Sequence, residues 1–167
     1  MNRESSKLAR ALVKLLTEKG LTVATAESCT GGGIAAALTS ISGSSACVRG
    51  GIVAYATEVK QDVLQVSPAT ICGQGVVSEQ TVREMALGAA KVLKADIGVS
   101  TSGVTGPTGG TEENPVGTVW MAVASMGGPV VTFRLSEGDA GRARNTQNAI
   151  NKALVLLLDY VKKQKND

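Results

Sequence analysis

Between Ser5 or Ser6 and Lys19, Leu8, Leu12, Leu15 and Leu16 recur at intervals of one helical turn, with Lys and Arg between them and Gly20 behind. That spacing predicts an amphipathic helix stopped by the glycine. Leu21 to Ala26 is short, apolar and β-branched, a buried strand, and Ile34 to about Ser40 reads as helix. Ser42-Gly43-Ser44-Ser45 follows as a polar turn. Gly50 to Tyr55 is a second strand, leading into a short helix from Ala56 to Leu64 capped by Thr57. Ser67-Pro68 opens another turn of helix, ended by Gly73 and Gly75. From Ser78, its cap, a longer helix runs to Lys94 on a stripe of Val82, Met85, Ala86, Ala89, Ala90 and Leu93. Asp96 to Ser102 is a third strand.

Strand, helix and strand in repetition argue for a largely parallel sheet with helices on both faces. The end of the chain breaks that pattern. Val116 to Ser125 and Val130 to Leu135 both read as strands, and the tight link Met126-Gly127-Gly128-Pro129 between them allows only antiparallel neighbours. One strand should therefore run against the others. Asp139 is expected to cap a last helix carrying Ile150, Leu154, Leu157, Leu158 and Val161.

Composition narrows the class. The 167 residues suit one domain, 1–167. Hydrophobic residues at 43% against charged residues at 19% exclude disorder, and aromatics at 2% mean a core of Ala, Val, Leu and Ile. No apolar run reaches the length of a membrane span and the first residues lack a signal-peptide pattern, so a soluble, cytoplasmic protein without a membrane partner is expected. The net charge of +3 is concentrated in the stretch from Lys162, where three lysines stand against one aspartate. The body is nearly neutral, which gives nucleic-acid binding little support, and the basic tail reads as a solvated helix end. Cys29, Cys47 and Cys72 are odd in number and widely spaced, as reduced thiols rather than disulfides or a zinc site.

The sequence contains no histidine. That removes Ser-His-Asp and Cys-His catalysis and imidazole-based zinc chemistry, and leaves acid–base work to Lys, Tyr, Asp, Glu or Cys. Ala26-Glu27-Ser28-Cys29-Thr30-Gly31-Gly32-Gly33 then stands out, because it places two hydroxyls, a thiol and three glycines at a strand-to-helix turn. Backbone N–H groups and the helix dipole favour negative charge there, which suits a nucleophile or an anion. The plainer reading is that Ser28 or Thr30 caps the helix and the glycines allow close packing. Ser45 sits in a polar turn that is either a linker or a substrate contact. Tyr55 and Lys60 follow the second strand. In such sheets ligands bind beyond the carboxyl ends of the parallel strands, which would gather the Ser28 turn, the Tyr55–Lys60 segment and the Gly-rich loop from Gly103 to Thr111. Arg142 and Arg144, in the first turn of the last helix, oppose the dipole unless they are ordinary surface residues or hold an anionic group such as phosphate.

Taken together, Ala26-Glu-Ser-Cys-Thr-Gly-Gly32, Arg49-Gly-Gly-Ile-Val-Ala-Tyr55 with Glu58 and Lys60, Gly103 to Gly110 with Gly106-Pro107, and Pro115-Val-Gly-Thr-Val-Trp120 resemble the carboxy-terminal domain of the CinA proteins and the stand-alone nicotinamide mononucleotide deamidases. The likeness runs from about residue 6 to 160. It implies a three-layer α/β/α sandwich around a mixed, mostly parallel sheet of about five strands with one antiparallel. It also implies metal-independent hydrolysis of nicotinamide mononucleotide to nicotinate mononucleotide and ammonia, with no cofactor. The family's serine nucleophile falls on Ser28, its tyrosine on Tyr55, its lysine on Lys60 and its substrate arginine on Arg142. Gly33, Thr57, Thr105 and Thr108 depart from the commoner family residues.

On that basis Ser28 attacks the amide carbon while Lys60, assisted by Tyr55, moves the proton. Backbone N–H groups of Thr30, Gly31 and Gly32 stabilise the oxyanion. The third loop, through Thr105, Gly106, Gly109 and Gly110, holds the phosphate with Arg142. A free lysine is mostly protonated at neutral pH, so desolvation or a neighbouring cation, with Arg142 as a candidate, must depress it. Cys29 is the rival nucleophile. The alternatives are a non-catalytic pyridine-nucleotide-binding module and an amidase for another phosphorylated amide. Small residues exposed on the helices point to a homo-oligomer.

Overall fold

A computed structural model describes residues 2–164. The elements run α1 (Arg3–Lys19), β1 (Val23–Glu27), α2 (Gly33–Thr39), β2 (Val48–Val53), α3 (Thr57–Asp62), α4 (Pro68–Gln74), α5 (Glu79–Val92), β3 (Ile97–Val104), β4 (Thr118–Ser125), β5 (Val130–Ser136) and α6 (Arg142–Lys163), with a turn of 3₁₀ helix at Ser44–Ala46 before β2. The sheet order is β2-β1-β3-β4-β5. β1 pairs in parallel with β2 and β3, while β4 is antiparallel to both β3 and β5. The result is the expected three-layer α/β/α sandwich, with β4 as its one reversed strand.

Alternation along the strands separates the two faces. Val23, Ile97, Val99, Met121 and Val123 point to one side and pack with Leu12 and Leu16 of α1, Ile34 and Leu38 of α2, and Leu154 and Leu157 of α6. Ala24, Ala26, Ala122 and Ala124 point to the other, beneath Val82, Met85, Ala86 and Ala89 of α5. Small residues on that second face let α5 approach closely. A Cβ on Gly98 would collide with the Ala86 carbonyl, and one on Gly88 with the Leu64 carbonyl. Rings on this face would hold the layers apart.

Two expected caps are corrected. Thr57 lies inside α3, whose N-cap is Ala56 with no side-chain cap bond. Asp139 stops short of α6, whose N-cap is Gly141; the Asp139 carboxylate accepts the Gly141 N–H at 3.0 Å and so shapes the turn before the helix. Ser67 and Ser78 cap α4 and α5 as expected. β1 reaches Glu27, and β3 continues past Ser102 to Val104. Of the basic tail, Lys162 and Lys163 are exposed in the last turn of α6, while 165–167 lie outside the described residues.

β1 occupies the position where connections diverge. The chain leaves it by α2 on one face to reach β2, then passes by α3, α4 and α5 on the other face to reach β3 on its opposite side. A crevice forms beyond the carboxyl end of a strand at such a switch point. Ser28 is the first residue past that end.

Candidate active site

The turn after β1 is organised by a buried carboxylate. Glu27 has no exposed surface. Its Oε2 accepts from Thr30 Oγ1 at 2.7 Å and Ile34 N at 3.0 Å, and its Oε1 from Thr25 Oγ1 at 3.0 Å and Ala35 N at 2.8 Å. A buried charge must be fully partnered, and here two of the four donors are the orphan amides of the α2 N-terminus. The anion that the helix end favours is thus part of the chain itself. Neither Ser28 nor Thr30 caps α2, which overturns the capping reading. Thr30 is buried, its hydroxyl shared between Glu27 and Thr101 Oγ1 at 2.7 Å.

Ser28 is left with a free role. Its amide donates to the Thr101 carbonyl at 3.0 Å and fixes it against β3, while its Oγ meets Lys60 Nζ at 3.1 Å. Lys60 is 2% exposed. Its Nζ also bonds the Ala54 carbonyl at 2.6 Å and the Tyr55 carbonyl at 3.3 Å. A neutral amine has two N–H donors and one lone pair. In the structure Nζ donates to Ser28 Oγ as it does to the two carbonyls, and loss of the proton facing Ser28 leaves a lone pair aimed at its Oγ. Burial lowers the Lys60 pKa from its ordinary value. The opposing influence is charge on Cys29, but burial, reinforced by the neighbouring Glu27 charge, pushes that thiol up to about 12. A thiol neutral at neutral pH puts no charge on Lys60 there and is no nucleophile. Of the two expected influences, desolvation is the one that lowers Lys60, and Arg142 takes no part in the shift.

Ser28, Cys29 and Tyr55 line a cleft of about 380 Å³ with Val76, Val77, Gly103, Val104, Thr105, Gly106, Thr108, Gly109 and Arg142. Tyr55 is 62% exposed, and its hydroxyl accepts from Arg142 Nη2 at 3.0 Å. Its only bond to Lys60 is through the backbone carbonyl. Arg142 Nη1 donates to the Gly106 carbonyl at 2.8 Å, and one helical turn on, Asn145 Nδ2 donates to the Thr105 carbonyl at 3.2 Å. The start of α6 thus holds the third loop by two consecutive carbonyls. Among the described residues no carboxylate forms an ion pair with Arg142, and no acid or side-chain cap neutralises the first turn of α6. Arg142 is thus the cation on the cleft lining, while the Asp139 carboxylate on the Gly141 amide lies just ahead of the helix.

Other expected residues fall elsewhere. Gly31 donates its amide to the Ser28 carbonyl at 3.1 Å and is committed to the turn, whereas the Thr30 and Gly32 amides bond no acceptor among the described residues. None of these three lines the cleft, nor does Gly110 or the exposed Arg144. Ser45 is not brought to it either. The Ser44–Ala46 turn precedes β2 and lies beside the start of β1, where the Val23 amide donates to the Cys47 carbonyl, at the opposite edge of the sheet from Ser28. Sequence reasoning missed the carboxylate role of Glu27, the support from Thr101 and Asn145, and the Val76–Val77 wall. Glu27 had a signal, an acid ending a wholly buried strand before a helix with no acid in its first turn. The valines had none, because they stand in a loop between two helices.

Among the described residues no cluster of three or more His, Cys, Asp or Glu side chains is placed to hold a metal, and no helix is long and apolar enough to cross a membrane. The chain is 45% identical over 150 residues, 88% of its length and 91% of the relative's, to a nicotinamide-nucleotide amidohydrolase PncC of Shigella flexneri. A relative from Halothermothrix orenii described as competence-damage inducible is 44% identical over 160 residues, and there the chain spans 95% of itself but only 38% of that longer protein. The crystal structure of the competence/damage inducible protein CihA from Agrobacterium tumefaciens superposes with a TM-score of 0.94 at 40% identity, covering 98% of both chains. The family model for the CinA C-terminal domain matches residues 5–161, and the chain belongs to that family.

Proposed function

We propose that this protein hydrolyses the carboxamide of nicotinamide mononucleotide to nicotinate mononucleotide and ammonia, without a metal, and that Ser28 is the nucleophile. The observation that carries the reading is the contact of Ser28 Oγ, on the cleft, with a buried, pKa-lowered Lys60 amine, beside an Arg142 guanidinium on the same cleft that has no ion-pair partner among the described residues. The amidohydrolase name of a relative matched over most of both chains supports the substrate.

In the proposed sequence Ser28 Oγ attacks the carboxamide carbon as Lys60 Nζ takes its proton. Backbone amides of the turn receive the oxyanion from the side of the cleft, where Cys29 is the lining residue next to Ser28. The tetrahedral adduct collapses as Lys60 returns the proton to the amide nitrogen, the C–N bond breaks and ammonia leaves. Water then attacks the acyl-serine ester, giving its proton to Lys60, and the ester bond breaks with Ser28 Oγ reprotonated. Tyr55 acts on Lys60 through its carbonyl and on Arg142 through its hydroxyl. Arg142 and the loop at Gly106, Thr108 and Gly109 take the phosphate.

The test is incubation of the purified protein with nicotinamide mononucleotide, without added metal, while ammonia and nicotinate mononucleotide are measured. Equal amounts of the two are expected. Binding without release would make the protein a non-catalytic module, and ammonia from a different phosphorylated amide alone would move the substrate.

A further inference from the structure

The proposed chemistry leaves apolar lining of the cleft unused, Val104 at the end of β3 and the pair Val76 and Val77. Val76 and Val77 stand in the loop between α4 and α5, half-buried, and face the same cleft as Ser28. Their backbone is held from behind at three consecutive carbonyls. Ser78 Oγ and Thr81 Oγ1 donate to the Gly75 carbonyl at 3.1 and 2.7 Å, Ser102 Oγ to the Val76 carbonyl at 2.7 Å, and Asn114 Nδ2 to the Val77 carbonyl at 3.1 Å. With the polar groups turned into the protein, the side chains that remain for the cleft are apolar and fixed.

Position links this wall to the reacting centre. Ser102, which anchors Val76, is the next residue of β3 after Thr101, whose carbonyl receives the Ser28 amide. The wall is therefore built onto the strand that also positions the nucleophile. Arg142, Gly106 and Thr108 line the same cleft. A substrate with a carbonyl at Ser28 and an anion at Arg142 lays the rest of its surface on the remaining lining, which includes Val76 and Val77. A fixed apolar surface beside the polar groups of a cleft orients a flat, weakly hydrated group.

Resting on the function proposed above, we infer that Val76 and Val77 form the specificity wall for the aromatic ring that bears the scissile carboxamide. They select a planar carboxamide over an aliphatic one, while the phosphate is read separately by Arg142. Ligands that share the phosphate and sugar but differ in the ring separate the two roles.

Dissociation constants for nicotinate mononucleotide and for ribose 5-phosphate are to be measured on the wild type, Val76→Asn and Val77→Asn, with thermal melts to confirm folding. Val77→Thr, of the same shape with one hydroxyl, is the second variant in case an Asn variant fails to fold. Each Asn variant is expected to weaken nicotinate mononucleotide about tenfold, and Val77→Thr severalfold, the order expected for a lost apolar contact. Ribose 5-phosphate should change less than about twofold, because its recognition is of phosphate by guanidinium. Equal weakening of both ligands, or of neither, would overturn the wall and leave the proposed reaction standing. A wild type that binds nicotinate mononucleotide no better than ribose 5-phosphate would overturn the wall, whereas absence of ammonia release from nicotinamide mononucleotide would overturn the proposed function on which it rests.

Discussion

Replacing Glu27 with Gln changes one atom and forces a choice the fold cannot accommodate. Each carboxylate oxygen accepts one hydroxyl and one helix N–H: Thr25 Oγ1 with Ala35 N, and Thr30 Oγ1 with Ile34 N. Whichever way the amide turns, its NH₂ faces one of these pairs. The hydroxyl can rotate to accept, but the helix N–H cannot. One charge-assisted bond is lost, at about 1.5–3 kcal/mol, and one buried N–H is left unsatisfied, at about 1–3 kcal/mol. Loss of the charge at the α2 N-terminus adds up to about 1 kcal/mol. A destabilisation of about 2.5–7 kcal/mol follows. At roughly 2–4 °C per kcal/mol for a domain of this size, the melting midpoint should fall by about 10 °C. Thermal unfolding followed by circular dichroism at neutral pH measures it, with amide exchange of Ile34 and Ala35 as the local readout. A shift below about 2 °C with unchanged exchange would refute the assignment of Glu27 as the buried cap of α2.

Lys60 sets the pH dependence of the site. Its neutral form is the base, and burial lowers its pKa, so kcat/KM should rise with pH through a midpoint below the ordinary lysine value of about 10.4. The unfolded chain keeps that proton to higher pH than the folded one, so this group's contribution to stability grows as pH rises across the window between the two pKa values. Lys60→Arg, which cannot deprotonate, should lower turnover by about 10²–10⁴-fold and remove the Lys60 limb from the pH–rate profile; near-normal turnover would show another base at work. Cys29→Ala should retain most activity, because a thiol pushed up to about 12 is protonated in the assay; loss of turnover in a folded variant would restore Cys29 as the nucleophile. Arg142→Ala should raise KM for nicotinamide mononucleotide about 10–100-fold and weaken ribose 5-phosphate comparably. A KM within about twofold of the wild type would remove Arg142 from phosphate recognition.

The layer order was legible because helix and strand periods are written by side chains that face the core. The leucines of α1 and the alternating residues of β4 declare their faces directly. The reversed β4 followed from the short link to β5, which no crossover could span. Caps were less legible, since a polar residue before a helix has several backbone partners within reach. Thr57 and Asp139 look like caps by residue type, yet the backbone places Ala56 and Gly141 in those positions. At the site, Ser28 and Lys60 were nameable through the lack of histidine and the family likeness. Their meeting depends on β2 pairing beside β1, which brings the Ala54 amide to the Glu27 carbonyl and Lys60 to Ser28, a contact between segments that no local pattern encodes. Ser45 shows the reverse, because a hydroxyl in a polar turn carries no mark of the sheet edge to which it belongs. The four bonds of Glu27 come from residues on both sides of it, and the valine wall owes its orientation to Ser102 and Asn114, far along the chain.

The central claim is that Ser28, activated by Lys60, breaks the amide bond. Its most direct test is ammonia release from nicotinamide mononucleotide by folded Ser28→Ala beside the wild type, without added metal. The account predicts a fall in turnover of at least about 10⁴-fold while nicotinate mononucleotide still binds. Undiminished ammonia release by Ser28→Ala would contradict it.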